Sequence, residues 1–221
     1  YEITTRLVGS EMCIRDSRDI FSECAFMNAR VRVEVEWLIS LSEAGFAELP
    51  HLSDHGKSFL RGLADNFSLA DCEAIKEIEK TTNHDVKAVE YWIKNQVAHD
   101  EELKSASEFV HFSCTSEDIN NTSHAIMLKR GREALADYLQ QIHDTIAGYA
   151  HQWAEIPMLS RTHGQTASPT TVGKEFANVA VRLERVIEAI RTVKIYAKMN
   201  GAVGNYNAHL ISYPCLLYTS D

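Results

Sequence analysis

The chain has 221 residues, 45% of them hydrophobic and 24% charged, with only 4 prolines and 10 glycines, a balance that excludes collagen-like, low-complexity and disordered sequence. Its formal charge of -9, from 22 Lys plus Arg against 31 Asp plus Glu, opposes non-specific attraction to nucleic acid or to an anionic membrane surface. Any anionic ligand must therefore be caught locally. No stretch approaches the roughly 20 uninterrupted apolar residues of a membrane helix, and the N-terminus lacks a basic-then-apolar export signal. The expectation is a cytoplasmic protein with neither a nucleic acid nor a membrane as partner. The five cysteines, Cys13, Cys24, Cys72, Cys114 and Cys215, are scattered and form no Cys-x-x-Cys pair, which predicts buried reduced thiols rather than a disulfide framework or a zinc knuckle.

The first predicted helix runs from about Arg18 to Ala44, with Phe21, Cys24, Val31, Val35, Leu38 and Leu41 on one face and Gly45 as its stop. Shorter helices follow, one capped by Ser68 and running to about Lys80, another from about Asp85 to Val97. The next long run sets Leu128, Leu135, Leu139, Ile142, Ile146, Tyr149 and Trp153 in one apolar stripe, preceded by Glu117 and Asp118 at the positive end of the helix dipole. A third long helix is predicted to start at Ser168 as cap with Pro169 in the first position, where a missing N–H costs nothing. Val172, Phe176, Val179, Leu183, Val186, Ile190, Val193 and Ala197 then recur at steps of four and three; Lys194 and Lys198 suit the negative pole, and Gly201 terminates. From Pro169 to Asn200 such a helix measures about 48 Å at 1.5 Å per residue.

No run of alternating β-branched residues long enough for a sheet is present. The predicted fold is all-α: a small N-terminal helical domain followed by the long helices of an elongated, multi-subunit helix bundle, since consecutive helices of this length leave stripes that other helices or subunits must bury. The domain boundary is expected near Ser113, where short helices give way to long ones.

Three polar clusters stand at helix ends, where unpaired backbone N–H groups can receive an anion. In the first, Thr81-Thr82-Asn83-His84-Asp85, a cap explains Asn83 or Asp85 alone; the histidine between them reads equally as a surface residue or a site residue. The second, Ser113 to Asn121, places Thr115 and Asp118 at capping-box spacing, while the Thr115 and Ser116 hydroxyls could hold a carboxylate or phosphate. The third, Ser160-Arg161-Thr162-His163-Gly164-Gln165, lies in the short connection between the two long helices and resembles a ligand surface more than a solvated corner. Histidine suits proton transfer near neutral pH. A zinc site from His84, His111 and His163 is disfavoured, because no pair has helical ligand spacing and no thiolate or carboxylate pattern accompanies them. Nor is there a Gly-x-Ser-x-Gly elbow, a Walker loop or a Gly-x-Gly-x-x-Gly. The residues alone point to an acid/base or anion-binding site assembled at helix ends.

The strings TTNHDVKAVEYW, EFVHFSCTSEDINN, LSRTHGQTASPTTVGKEFANVA and KMNGAVGNYNAH occur in this order and together resemble the bacterial adenylosuccinate lyases of the fumarase/aspartase superfamily, over roughly Ile20 to Tyr213. The resemblance implies an all-helical homotetramer with active sites shared between subunits, and a lyase acting on a purine nucleotide without metal or organic cofactor. Its reaction eliminates fumarate from adenylosuccinate, giving AMP, and from the succinyl-carboxamide ribotide of purine biosynthesis, by general acid/base anti elimination. By motif position, His163 is the implied general acid. Asn83, His84 and Asp85 match the substrate-binding segment, with His84 orienting the substrate, and Thr115 and Ser116 match the pair that grips it. Gln165 and the Gly204-Asn205 turn are weaker candidates for the same cradle.

Members of this family are about twice as long, and their serine-base loop has no counterpart in these 221 residues. Residues 1–17 and most of 211–221 do not resemble the family and read as artefactual tails, leaving 18–113 as the N-terminal helical domain and 114–210 as the first, truncated part of the central bundle domain. The expectation is a fragment, inactive alone. The alternatives are a non-catalytic helical assembly module and a sister lyase of the argininosuccinate lyase or fumarase type.

Overall fold

The computed structural model describes residues 17–45, 47–49 and 51–213. Expectations for the two tails, Cys13 and Cys215 included, lie outside the described residues except at residue 17 and residues 211–213. The chain forms two compact units, one made of the described residues up to Leu128 together with those from Tyr196 onward, the other of Lys129–Ile195.

The first unit is helical. Helix α1 spans Glu23–Glu43 and is capped by Ser22, whose Oγ accepts the Ala25 N–H. The expected start at Arg18 thus becomes a separate helical turn over residues 17–21, because Ser22 takes an extended backbone. Helix α2 (Asp54–Asp65) is capped by Ser53, and α3 (Leu69–Thr82) by the reciprocal Ser68–Asp71 box. Helix α4 (Asp85–Val97) has its expected bounds, and a short α5 (Glu101–Ala106) follows. The amphipathic stripe read in α1 buries Val31, Val35, Leu38 and Leu41 but leaves Phe21 exposed. Against that stripe pack Leu60 of α2, Ile75 of α3, and Val89, Trp92 and Ile93 of α4. Each such burial contributes about 1.5–3 kcal/mol.

One cysteine expectation is corrected here. Cys24 of α1 and Cys72 of α3 are disulfide-bonded, with Cα atoms 5.6 Å apart. The helices bring together two thiols 48 residues apart in sequence, a juxtaposition that spacing alone does not display.

Helix α6 (Ser116–Gln152, 37 residues) is the expected long helix and leads into the second unit. There the prediction of continuous helix fails over one stretch. Strands β1 (Pro157–Thr162) and β2 (Gln165–Thr171) form an antiparallel hairpin, so Ser168 and Pro169 lie in a strand. The threonines of β2 favour extended backbone, and Pro169 is tolerated because both strands of a two-stranded sheet are edges. Helix α7 therefore begins at Val172, capped by Thr171 Oγ1, which accepts the Lys174 N–H at 3.2 Å, and ends at Thr192. Val193 is extended, and its carbonyl accepts from Arg132 Nη1 at 2.6 Å rather than continuing the helix. Gly201 (φ +84) accordingly marks a later turn and not a helix end.

The buried seam of α7 is Gly173, Ala180 and Ile187. A Cβ at Gly173 would lie 2.3 Å from the Ala150 carbonyl oxygen, so glycine permits the close approach of α7 to the end of α6. Tyr149 and Trp153 stack on each other and meet Phe176 edge-on. The larger apolar residues Leu135, Ile142, Val179 and Val186 stay about half exposed. Residues 207–212 form a last short helix, α8 (Asn207–Ser212), in the first unit. Among the described residues the fold is all-α apart from the hairpin.

Candidate functional site

The first polar cluster is the joint between α3 and α4. Asn83 ends α3 in the left-handed conformation (φ 51), with its N–H on the Glu79 carbonyl, a backbone that asparagine adopts more readily than most residues. His84 is itself the cap of α4: its Nδ1 accepts the Lys87 N–H at 3.2 Å. A neutral imidazole accepting at Nδ1 carries its proton on Nε2, and Nε2 stands 3.4 Å from Ser116 Oγ, a long hydrogen bond. The first and second clusters therefore meet at these two side chains.

Asp85, the first residue of α4, accepts the Val86 N–H at 2.9 Å and an Arg30 Nη2 hydrogen at 2.5 Å. Burial works to raise the Asp85 pKa, but the Arg30 charge and hydrogen bond outweigh it and hold the carboxyl below its ordinary range. Arg30 is buried, lies 3.9 Å over the Phe26 ring, and reaches Asn120 Oδ1 through Nε at 2.9 Å. One guanidinium of α1 thus joins the start of α4 to the first turn of α6. Glu23, Phe26, Arg30, Asn83, His84 and Asp85 are among the residues lining a cavity of about 460 Å³, a size within the range of small-molecule sites.

At the second cluster the capping-box spacing has a structural use. The Asp118 carboxylate accepts the Thr115 N–H at 3.0 Å, satisfying a donor ahead of α6. The same buried carboxylate also accepts Lys198 Nζ at 3.1 Å and the Gly201 N–H at 3.2 Å. Asn121 pairs with the backbone of Lys198 in both directions. The KMNGAVG segment is thereby pinned to the start of α6, while Ser116 keeps its hydroxyl on His84. Burial pushes the Cys114 thiol well up, with Glu34 and Asp118 adding to it, so the sulfur stays protonated.

His163 belongs to the second unit. It occupies the β1–β2 turn, where His163 (φ 53) and Gly164 (φ 74) are both left-handed, as in a type I′ hairpin. The connection expected between two long helices is thus a β-turn, with an exposed imidazole at a position where Asn or Gly is usual. Gln165 opposes Thr162 across that turn. The first unit gathers Asn83, His84, Asp85 and Ser116, with Thr115 adjacent in the chain; His163 stands on its own unit. Among the described residues no three His, Cys, Asp or Glu are grouped as metal ligands.

Sequence reasoning missed Arg30 and Glu34. Both lie on the buried side of α1, one turn apart, and Glu34 Oε1 is 2.5 Å from His111 Nδ1. Their signal was two charges interrupting an apolar face, which a surface helix also shows.

The chain is 54% identical over 199 residues to the adenylosuccinate lyase of Vibrio cholerae, covering 89% of this chain and 44% of that protein. It is likewise 54% identical over 199 residues to the adenylosuccinate lyase of Haemophilus influenzae, with the same two coverages. Among solved structures, a fumarate lyase from a Mesorhizobium species shares the fold at a TM-score of 0.73 and 18% identity, over 92% of this chain and 46% of that one. The 3-carboxy-cis,cis-muconate lactonizing enzyme of Pseudomonas putida does so at 0.70 and 20%, over 90% of this chain and 44% of that one. The chain thus spans less than half the length of the curated relatives it matches. The profile described as Lyase matches residues 15–218, and on that match the chain belongs to the lyase family.

Proposed function

We propose that the chain is part of an adenylosuccinate lyase, which releases fumarate from adenylosuccinate to give AMP and acts likewise on the succinyl-carboxamide ribotide. The observation that carries this reading is the 3.4 Å approach of His84 Nε2 to Ser116 Oγ, which joins two of the four family-like motifs at the mouths of α4 and α6. In the elimination a base removes a proton beside a succinyl carboxylate, an acid protonates the departing nitrogen, and the carbanion spreads onto that carboxylate. Hydroxyls at Thr115 and Ser116 then meet more charge in the transition state than in the ground state. Asn83, His84 and Asp85 hold the substrate, with Arg30 keeping Asp85 ionised. His163 is the general acid, and its place on an exposed turn suits a group that must reach a leaving nitrogen.

In this reading residues 18–113 are the N-terminal domain and 114–210 open the central bundle of a cytoplasmic homotetramer whose sites draw on several subunits. The half-exposed Leu135, Ile142, Val179 and Val186 support such packing. The chain covers 44% of each of the two named relatives, so the reaction is proposed for the whole protein. The test is an assay of the protein from the longer reading frame. Adenylosuccinate consumption with stoichiometric fumarate release is expected; activity confined to argininosuccinate or malate would move the protein to a sister group.

A further inference from the structure

Glu34 is a side chain that the lyase reading leaves without a use. Its side chain has 0% exposure, its Oε1 is 2.5 Å from His111 Nδ1, and its Oε2 is buried with no hydrogen-bond partner. An isolated carboxylate is costly in such a place and is retained where a partner compensates it. The partner here is placed with care. His111 is left-handed (φ 63), as is Ser113 (φ 60), so the backbone between them is a strained bend leading into Thr115 and Ser116. Glu34 thus holds the imidazole of this bend at Nδ1.

We propose that Glu34 is a positioning residue for the candidate site: it grips His111 at Nδ1 and so fixes the ring at the bend that leads into Thr115 and Ser116. The use of that ring in the site rests on the lyase reading; the grip itself does not.

The surroundings agree. Burial alone pulls the His111 pKa down, but the hydrogen bond and charge of Glu34 outweigh it and the pKa is raised. Burial likewise raises the Glu34 pKa, against the pull of His111. Two groups of α4 face this pair: Glu90, itself buried and held by Lys87 at 2.7 Å and Lys94 at 3.3 Å, and Lys87, which opposes a charge on His111. Cys114, protonated, precedes α6, and Asp118, engaged by Lys198, lies in its first turn. Glu34 is thus the group in direct contact with the ring.

The test is a histidine ring titration of the full chain by long-range proton–nitrogen NMR between pH 5 and 9, with the His111 signal identified by its loss in His111→Gln. In the unaltered chain His111 is expected to titrate above an ordinary histidine. In Glu34→Gln, which keeps the size and removes the charge, its proton affinity is expected to fall about tenfold or more, one pH unit. Glu34→Asp should recover part of the shift. An unchanged His111 midpoint in a Glu34→Gln chain of unaltered helix content would overturn the proposal. If Glu34→Gln does not fold, the unaltered chain decides: a His111 that titrates at or below the ordinary range overturns it, and one that titrates above supports it. Loss of the adenylosuccinate reading would appear in the enzyme assay and leave this titration untouched.

Discussion

The two units hold themselves together in opposite ways. In the first, charged groups are inside: Arg30, Glu34, Glu90 and Asp118 are all buried, and each is matched by a partner from another element or an adjacent turn. In the second, the buried positions are small ones, Gly131, Ala136, Gly173 and Ala180 with Ile187, while Leu135, Ile142, Val179 and Val186 stay about half exposed. Buried charges of this kind need packed apolar neighbours, which the core of α1 to α4 supplies beside Arg30, Glu34 and Glu90. Two long helices meeting along a narrow seam supply fewer. The consequence for the site is that Asp85, His84 and Ser116 are positioned by contacts between segments distant in sequence, whereas His163 is positioned by the local geometry of one turn.

The comparison breaks most readily in the core. Leu38→Ala in the first unit is expected to cost about 3–4 kcal/mol, while Leu135→Ala, half exposed, should cost less than about 1 kcal/mol. Urea unfolding of both variants checks this, and equal costs would erase the distinction. Reduction of the Cys24–Cys72 bond, which closes 48 residues, should lower stability by about 3 kcal/mol, seen as a lower urea midpoint with reductant present. Gly173→Ala should cost about 2–3 kcal/mol, because the new methyl group meets backbone at 2.3 Å; hydrogen exchange should accelerate within residues 129–195 and stay unchanged around α1 to α4.

Smaller effects sharpen the account of the polar joint. Arg30→Ala should cost about 2 kcal/mol, discounted from a fully buried pair because the Asp85 side chain is 46% exposed. The sign of its pH dependence follows from Asp85, whose folded pKa is depressed. The pair's stabilisation is present above the unfolded carboxyl pKa of about 3.9 and is lost as pH falls through the lower folded value. Unfolding midpoints at pH 7 and pH 3 should therefore converge between the two proteins at the acid end. Smallest of all, His84→Ala removes the α4 cap and should cost about 1 kcal/mol in the same measurement.

Much of the fold was legible in local signals. Helix α4 and the Ser68 cap are written in neighbouring residues, and the length of α6 follows from its periodicity. Ser168-Pro169 misled because the pair satisfies the chemistry of a helix start, and nothing local reveals that the Thr-rich strand finds a partner at Pro157–Thr162. The hairpin was further hidden by its turn, which uses His163-Gly164 instead of the usual Asn-Gly. At the site, the motif residues were visible but their connections were not. Arg30 to Asp85, Glu34 to His111 and Asp118 to Lys198 span 55, 77 and 80 residues, and a charge on an apolar helix face does not announce its partner.

Kinetics of the protein from the longer reading frame, measured before and after His163→Ala, bear most directly on the proposed chemistry. Fumarate release from adenylosuccinate should fall by about 10²–10⁴-fold on loss of the general acid, with nucleotide binding largely retained. Undiminished release by the alanine variant would contradict the account.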